Sequence, residues 1–127
     1  MLAEAILREL RSIVGATNVH GAPSEIIAYS YDATFQQHPP DVAVTPGSTQ
    51  EVAGVMRLAH REGIPVITRG AGTNLAGATI PLTGGIVMAL TRMNRIIEID
   101  HVNTCAVVEA GVINAEFQAR VESEGLF

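Results

Sequence analysis

Thr68-Arg69-Gly70-Ala71-Gly72-Thr73-Asn74-Leu75-Ala76-Gly77 is the stretch whose residue types and spacing are best suited to chemistry. Three glycines and two alanines between positions 70 and 77 leave almost no side chain. Backbone this bare can take positive φ and come within contact distance of a ligand. Successive N–H groups turned the same way make a concave site for an anion such as phosphate. Arg69 adds a fixed positive charge where the stretch begins. The same composition also suits a tight connection whose glycines only relieve crowding, and spacing alone leaves both readings open.

Two phosphate loops are excluded by inspection. Gly72 and Gly77 have the GxxxxG spacing of a Walker A loop, but Ala78 stands where its lysine belongs, and the chain has no lysine. Gly70-Ala71-Gly72 begins a GxGxxG dinucleotide fingerprint, but Leu75 replaces the third glycine. The turn-rich run Ala78-Thr79-Ile80-Pro81-Leu82-Thr83-Gly84-Gly85 follows in place of a helix.

Other reactive residues carry less. Asp32 and His38 lie six apart without a third partner, and read as solvated loop residues. Cys105, the single cysteine, sits in the apolar run Cys105-Ala106-Val107-Val108 and reads as core, excluding disulfides and multi-cysteine metal sites. His60 is explained by a helix C-terminus, and His101 has turn residues on both sides. No catalytic residue and no metal ligand is assigned. Without lysine, Schiff-base chemistry within the chain is impossible.

A length of 127 residues allows one ordinary domain with a real core, and 47% apolar against 17% charged residues argues against disorder. Net charge is −5 and the eight basic residues, all arginine, are scattered singly, which argues against a nucleic-acid-binding surface. No apolar run approaches membrane-spanning length. Met1-Leu2-Ala3-Glu4 lacks the basic start of a signal peptide, so a cytoplasmic protein is expected.

The elements that must position the loop follow from periodicity. Residues 2–14 read as an amphipathic helix with Leu2, Ile6, Leu10 and Ile13 or Val14 inward, stopped by Gly15. Residues 16–40 are irregular, with one helical turn at Pro23-Ser24-Glu25. Val42-Ala43-Val44-Thr45 reads as a strand, turned by Pro46-Gly47. Ser48 and Glu51 form a capping box for a helix with Val52, Val55, Met56 and Ala59 on its apolar stripe, ended by Gly63. The strand Ile64–Ile67 completes a βαβ unit, expected to cross over right-handed onto a parallel neighbour. The glycine-rich loop then lies at a parallel strand's C-terminal end, where open α/β sheets bind ligands. Strands are expected at 86–90, 95–99 and 104–110, the last two as a hairpin. Asn114 caps a helix over 115–124 with Phe117 and Val121 inward. The apolar terminus Leu126-Phe127 reads as a cut in a longer chain.

With Pro40-Asp41-Val42-Ala43-Val44-Thr45-Pro46 upstream, the stretch Arg69 to Gly77 resembles the flavin-binding domain shared by vanillyl-alcohol oxidase and p-cresol methylhydroxylase. It is most similar to the branch containing the glycolate oxidase D subunit and D-lactate dehydrogenases. Tyr29-Ser30-Tyr31-Asp32, Leu90-Thr91-Arg92-Met93-Asn94-Arg95-Ile96, Ile99-Asp100 and Ala106-Val107-Val108-Glu109-Ala110-Gly111-Val112 also resemble that branch, so the likeness spans nearly the whole chain.

The resemblance implies FAD lying between two subdomains, its pyrophosphate wrapped by the backbone of Arg69, Gly70, Ala71, Gly72, Thr73, Asn74 and Leu75. Gly77 would allow close approach, and Pro46 would lie near the flavin nucleotide. Thr73 and Asn74 would add side-chain hydrogen bonds. Some relatives bond FAD covalently through a loop histidine; Thr73 stands at that position here, implying non-covalent FAD. The implied reaction is oxidation of a small 2-hydroxy acid of the glycolate or D-lactate type. The second FAD subdomain and the substrate cap would lie beyond Phe127, so the fragment alone is expected to be inactive.

The expected fold is α/β (α+β): a small mixed sheet built on the βαβ unit, extended by an antiparallel hairpin and flanked by three helices. Residues 1–40 form a helix and irregular lead-in, and 41–127 the N-terminal part of the FAD-binding domain. Expected partners are FAD, the hydroxy acid and other glycolate oxidase subunits, through which the protein would sit at the inner membrane. Surface meant for the missing subdomain would make the fragment self-associate. The rivals are a D-2-hydroxyglutarate dehydrogenase or alkylglycerone-phosphate synthase type of flavoenzyme, or a non-catalytic packing domain.

Overall fold

The computed structural model describes residues 2–34 and 36–127. Helix α1 spans Glu4–Val14 and ends at Gly15, whose φ of 87° is left-handed. Strand β1 (Val19–His20), the single helical turn α2 (Pro23–Ile26) and a 3₁₀ turn over Ile27–Tyr29 follow. Strand β2 is Val42–Val44, helix α3 Thr49–Glu62 and strand β3 Val66–Arg69. Beyond the glycine-rich loop come β4 (Ile86–Ala89), β5 (Ile96–Asp100), β6 (Cys105–Val108) and helix α4 (Asn114–Ser123).

The described strands form a four-stranded sheet in the order β1-β2-β4-β3 and a separate two-stranded sheet, β5-β6. β2 and β3 both run parallel to β4, and β1 joins antiparallel at the edge. The βαβ unit is present, but its strands are not neighbours, because β4 lies between them. Composition explains the order. Ile86-Val87-Met88-Ala89 is buried throughout and takes the centre, whereas β3 carries Thr68 and Arg69 and takes the edge.

Leu10 and Val14 of α1 and Val55, Leu58 and Ala59 of α3 pack on Val42, Val44, Ile86 and Met88 as one core. Gly54 lets the two helices close together, since a Cβ there would lie 2.7 Å from Ile13 Cγ2. Arg61 joins them at the surface, its Nη2 donating to Glu9 Oε2 at 2.7 Å. The start of α3 is capped as the sequence predicts: Ser48 Oγ accepts from the Glu51 N–H at 3.2 Å. The Glu51 carboxylate reaches one residue further back, to the Gly47 N–H at 2.8 Å. Leu58 fills the stripe position that the sequence assigns to Met56, which is exposed.

Two expectations fail at the hairpin. It forms a sheet of its own and does not extend the main one. Cys105, expected in the core, is exposed on this separate sheet, which contributes no residue to the main core cluster. At the far end, Asn114 is the first helical residue and not the cap; Ile113 occupies that position without a side-chain hydrogen bond. His101 is tied down, its Nε2 lying 2.7 Å from Glu124 Oε2 at the end of α4. Among the described residues no helix is long and apolar enough to cross a membrane, and no His, Cys, Asp or Glu group could hold a metal ion.

Candidate functional site

Strands β2, β4 and β3 run parallel, so their C-terminal ends open on one edge of the sheet. Residues 70–79 leave that edge from β3. The ladder ends where Leu90 N–H donates to the Arg69 carbonyl at 2.9 Å. Arg69 then folds back beneath the loop, only 7% exposed. Its Nη1 donates to the Tyr31 carbonyl at 2.9 Å, and its Nη2 lies 3.4 Å from the Ala71 carbonyl oxygen. The guanidinium carbon sits 5.9 Å from the centre of the Tyr29 ring, which stacks on His20. Arg69 thus spends its donors on carbonyl oxygens of its own chain and supports the loop from below.

An anion must then be met by backbone. Among the described residues, no N–H from Gly70 through Ala78 donates to a protein acceptor. None of these residues is buried, so nine consecutive donors remain available to solvent or to a ligand. The glycines divide by cause. Gly72 has φ of 77°, and a Cβ there would collide with the Arg69 guanidinium, so its bareness serves the chain itself. Gly77, at φ 69°, is required by its left-handed backbone. Gly70 has neither reason: its φ is not left-handed, and a Cβ there would meet nothing within 4 Å. Its missing side chain leaves room for something outside the chain. These donors and this clearance fit a diphosphate.

Asp32, read from the sequence as solvated, is 5% exposed and holds the loop's far side. Its Oδ1 accepts from the Thr34 N–H at 2.8 Å and the Thr34 hydroxyl at 2.6 Å. Its Oδ2 accepts from Asn74 Nδ2 at 2.8 Å. The Thr79 hydroxyl donates to Asn74 Oδ1 at 2.9 Å and lies 3.4 Å from Asp32 Oδ2. The Thr34 hydroxyl, foremost among these donors, holds the Asp32 carboxyl below its usual range, against the opposing effect of burial. The Asn74 side chain is therefore engaged within the protein. His38 remains an exposed loop residue.

Two clefts flank the loop. One, of about 450 Å³, is lined by Arg69, Gly70, Ala71, Gly72, Thr73 and Asn74 with neighbours from β3 and Thr79. The other, of about 400 Å³, shares Gly70, Ala71 and Thr73 and reaches Thr91, Asn94 and the stretch Ala110 to Ala115. Both also touch Ala110, so they adjoin along the loop. Six of the nine residues expected at the site thus line one cleft. Leu75 and Gly77 do not line it; Leu75 is 80% exposed. Pro46 is fully buried at the end of β2 and lines neither cleft.

The far wall was missed as a site, although Ala110-Gly111-Val112 carried part of the resemblance. The rule that ligands gather at parallel strand ends applies to β4 as much as to β3. Arg92, just past β4, was also missed. Its Nη1 donates to the Thr45 carbonyl at 2.7 Å and fastens the ends of β2 and β4 together.

Residues 40–127 match the family described as FAD binding domain. The chain is 38% identical over 128 residues to the glycolate oxidase subunit GlcD of Bacillus subtilis, covering 100% of this chain and 27% of that protein. It is 35% identical over 94 residues to D-lactate dehydrogenase of Anaerostipes hadrus, covering 74% of this chain and 20% of that one. The structure of p-cresol methylhydroxylase with substrate bound superposes with a TM-score of 0.84 at 27% identity, over 97% of this chain and 25% of that one. The chain spans about a quarter of the length of the relatives it matches.

Proposed function

The chain belongs to the FAD binding domain family, and from that premise we propose that it is the diphosphate-cradling part of a flavin-dependent 2-hydroxy-acid dehydrogenase or oxidase. The observation that carries this is the run of unspent N–H groups from Gly70 to Ala78, opening on clefts at the sheet edge. Residues 41–127 form the first portion of the cofactor domain, with 1–40 as the lead-in packed beneath it.

When bound, FAD supplies a two-electron acceptor for oxidation of the substrate's CH–OH group. The chain's own residues bind and orient. Backbone from Gly70 to Thr73 holds the diphosphate, and Gly70 lets it come close. Among the described residues neither cleft is lined by a histidine, cysteine or tyrosine, so the cleft walls of this chain supply no such side chain for a covalent flavin bond, and we read FAD as held non-covalently. Among the described residues Arg69 is the sole ionisable side chain on either cleft wall, and it already donates to carbonyl oxygens. These cleft walls supply no base for the substrate proton, and we place that base in the rest of the protein.

Glycolate or D-lactate is the proposed substrate class, supported by the 38% and 35% identities to relatives bearing those names. The subunit designation of the first supports partner subunits, and through them attachment at the inner membrane. The test is to purify the natural protein carrying this chain and add glycolate or D-lactate without oxygen. Flavin absorbance that bleaches on addition is the expected result. A colourless protein, or a yellow one that neither acid bleaches, contradicts the proposal.

A further inference from the structure

The glycine-rich loop does not hold its own shape. Among the described residues its N–H groups from 70 to 78 make no protein hydrogen bond, and its internal ties are few. The ties that fix it come from a segment about forty residues earlier in the chain. The Tyr31 carbonyl accepts from Arg69 at the loop's start. The Ala33 N–H donates to the Asn74 carbonyl at 3.2 Å, and the Asp32 carboxylate accepts from the Asn74 side chain at 2.8 Å. Three consecutive residues, 31 to 33, thus grip the loop at its start and at its middle.

We propose that Asp32 is a positioning residue for the cofactor loop: its buried carboxylate, through Asn74 and Thr79, sets the loop amides in the geometry that receives the diphosphate. This rests on reading the loop as the FAD cradle. A carboxylate near an anion site runs against like-charge repulsion. The bonding pattern explains it. Thr34 N–H, Thr34 hydroxyl and Asn74 Nδ2 are all donors, so the position demands a group that only accepts. A neutral amide at 32 would bring its NH₂ against the Asn74 NH₂, and could be accommodated only if Asn74 turned its own amide over and reversed its bond to Thr79. Those donors neutralise part of the charge. Preorganised amides bind an anion without first paying to order themselves, which is why a residue that never touches the ligand can govern affinity.

The test uses the natural full-length protein, stripped of cofactor and titrated with FAD. Asp32→Asn is expected to weaken FAD binding by about ten-fold or more, the effect of losing a charge-assisted hydrogen bond, and to lower the apoprotein melting temperature modestly while the fold is retained. The exchange Asp32→Asn with Asn74→Asp restores one donor and one acceptor across the pair and keeps an acceptor for Thr79. It is expected to recover apoprotein stability and part of the affinity, the carboxylate now standing at a cleft-lining position. If Asp32→Asn yields no folded protein, Thr79→Val reads the same ring, with about three-fold weaker binding expected. Wild-type affinity in Asp32→Asn, or in Thr79→Val where that is the variant available, overturns the proposal. So does an affinity loss that follows a matching loss of apoprotein stability with no recovery in the exchange, since Asp32 would then be a general structural residue. A wild-type protein that takes up no FAD fails the functional reading itself; a wild type that binds while Asp32→Asn binds equally well fails only this inference.

Discussion

Glycines at 70, 72 and 77 look interchangeable in the sequence and are not. At Gly72 a side chain would meet the Arg69 guanidinium and adopt a disfavoured φ. Gly72→Ala is therefore expected to destabilise the protein by about 1–3 kcal/mol, readable in its melting curve. It would disturb cofactor binding and folding together, making it a poor probe of either. Asp32 offers a cleaner signal through pH. Its folded carboxyl titrates below the ordinary 3.8, so the folded state binds the proton less readily than the unfolded one. The stability this contributes is complete above about pH 4 and is lost as pH falls through the lowered folded value. Acid unfolding below about pH 4 should accordingly be shallower in Asp32→Asn than in wild type. Equal slopes would mean the carboxylate is not held as described. The bare loop was legible because composition alone betrays it. Asp32 was not, because its partner Asn74 lies 42 positions away and nothing local marks the pairing.

Helix α3 joins the two halves of the βαβ unit and is fastened at both ends, by Ser48 at its start and by the left-handed Gly63, φ 64°, at its finish. Ser48→Ala should cost about 1 kcal/mol by chemical denaturation. Gly54, in the same helix, sets two effects against each other. Alanine there gains about 1 kcal/mol of helix propensity. It also drives a methyl to 2.7 Å from Ile13 Cγ2, and overpacking of that kind costs about 1–3 kcal/mol. The clash wins because Ile13 is branched at the point of contact. Gly54→Ala should lower stability, and adding Ile13→Ala should make the alanine at 54 favourable; stabilisation by Gly54→Ala alone would refute the close approach. The helix and its cap could be read from a local pattern of four to fifteen residues. The placing of β4 between β2 and β3 could not, since it depends on which strand is most apolar overall.

On the scale of the molecule, the sheet's C-terminal edge gathers what the chain order scatters. Pro46, the loop after Arg69 and Arg92 all lie there, at the ends of three parallel strands. Leu75, Leu82, Ile97, Val102 and Ile113 remain at least half exposed in this chain. The 127-residue chain by itself is expected to self-associate through such surface, and sedimentation showing a monomer at high concentration would contradict that. The fold class was legible because periodicity marks each element. The separate hairpin sheet was not, since periodicity says nothing about which strands share an edge, and Cys105 was misplaced with it.

Gly70 allows the most direct test, because within this chain nothing explains its lack of a side chain. Gly70→Val in the natural protein should leave the apoprotein melting temperature unchanged. Its FAD affinity, measured by equilibrium titration, should fall by at least about a hundred-fold, as the valine fills the diphosphate's place. A Gly70→Val protein that folds and binds FAD as tightly as wild type would show that the loop amides do not hold the cofactor.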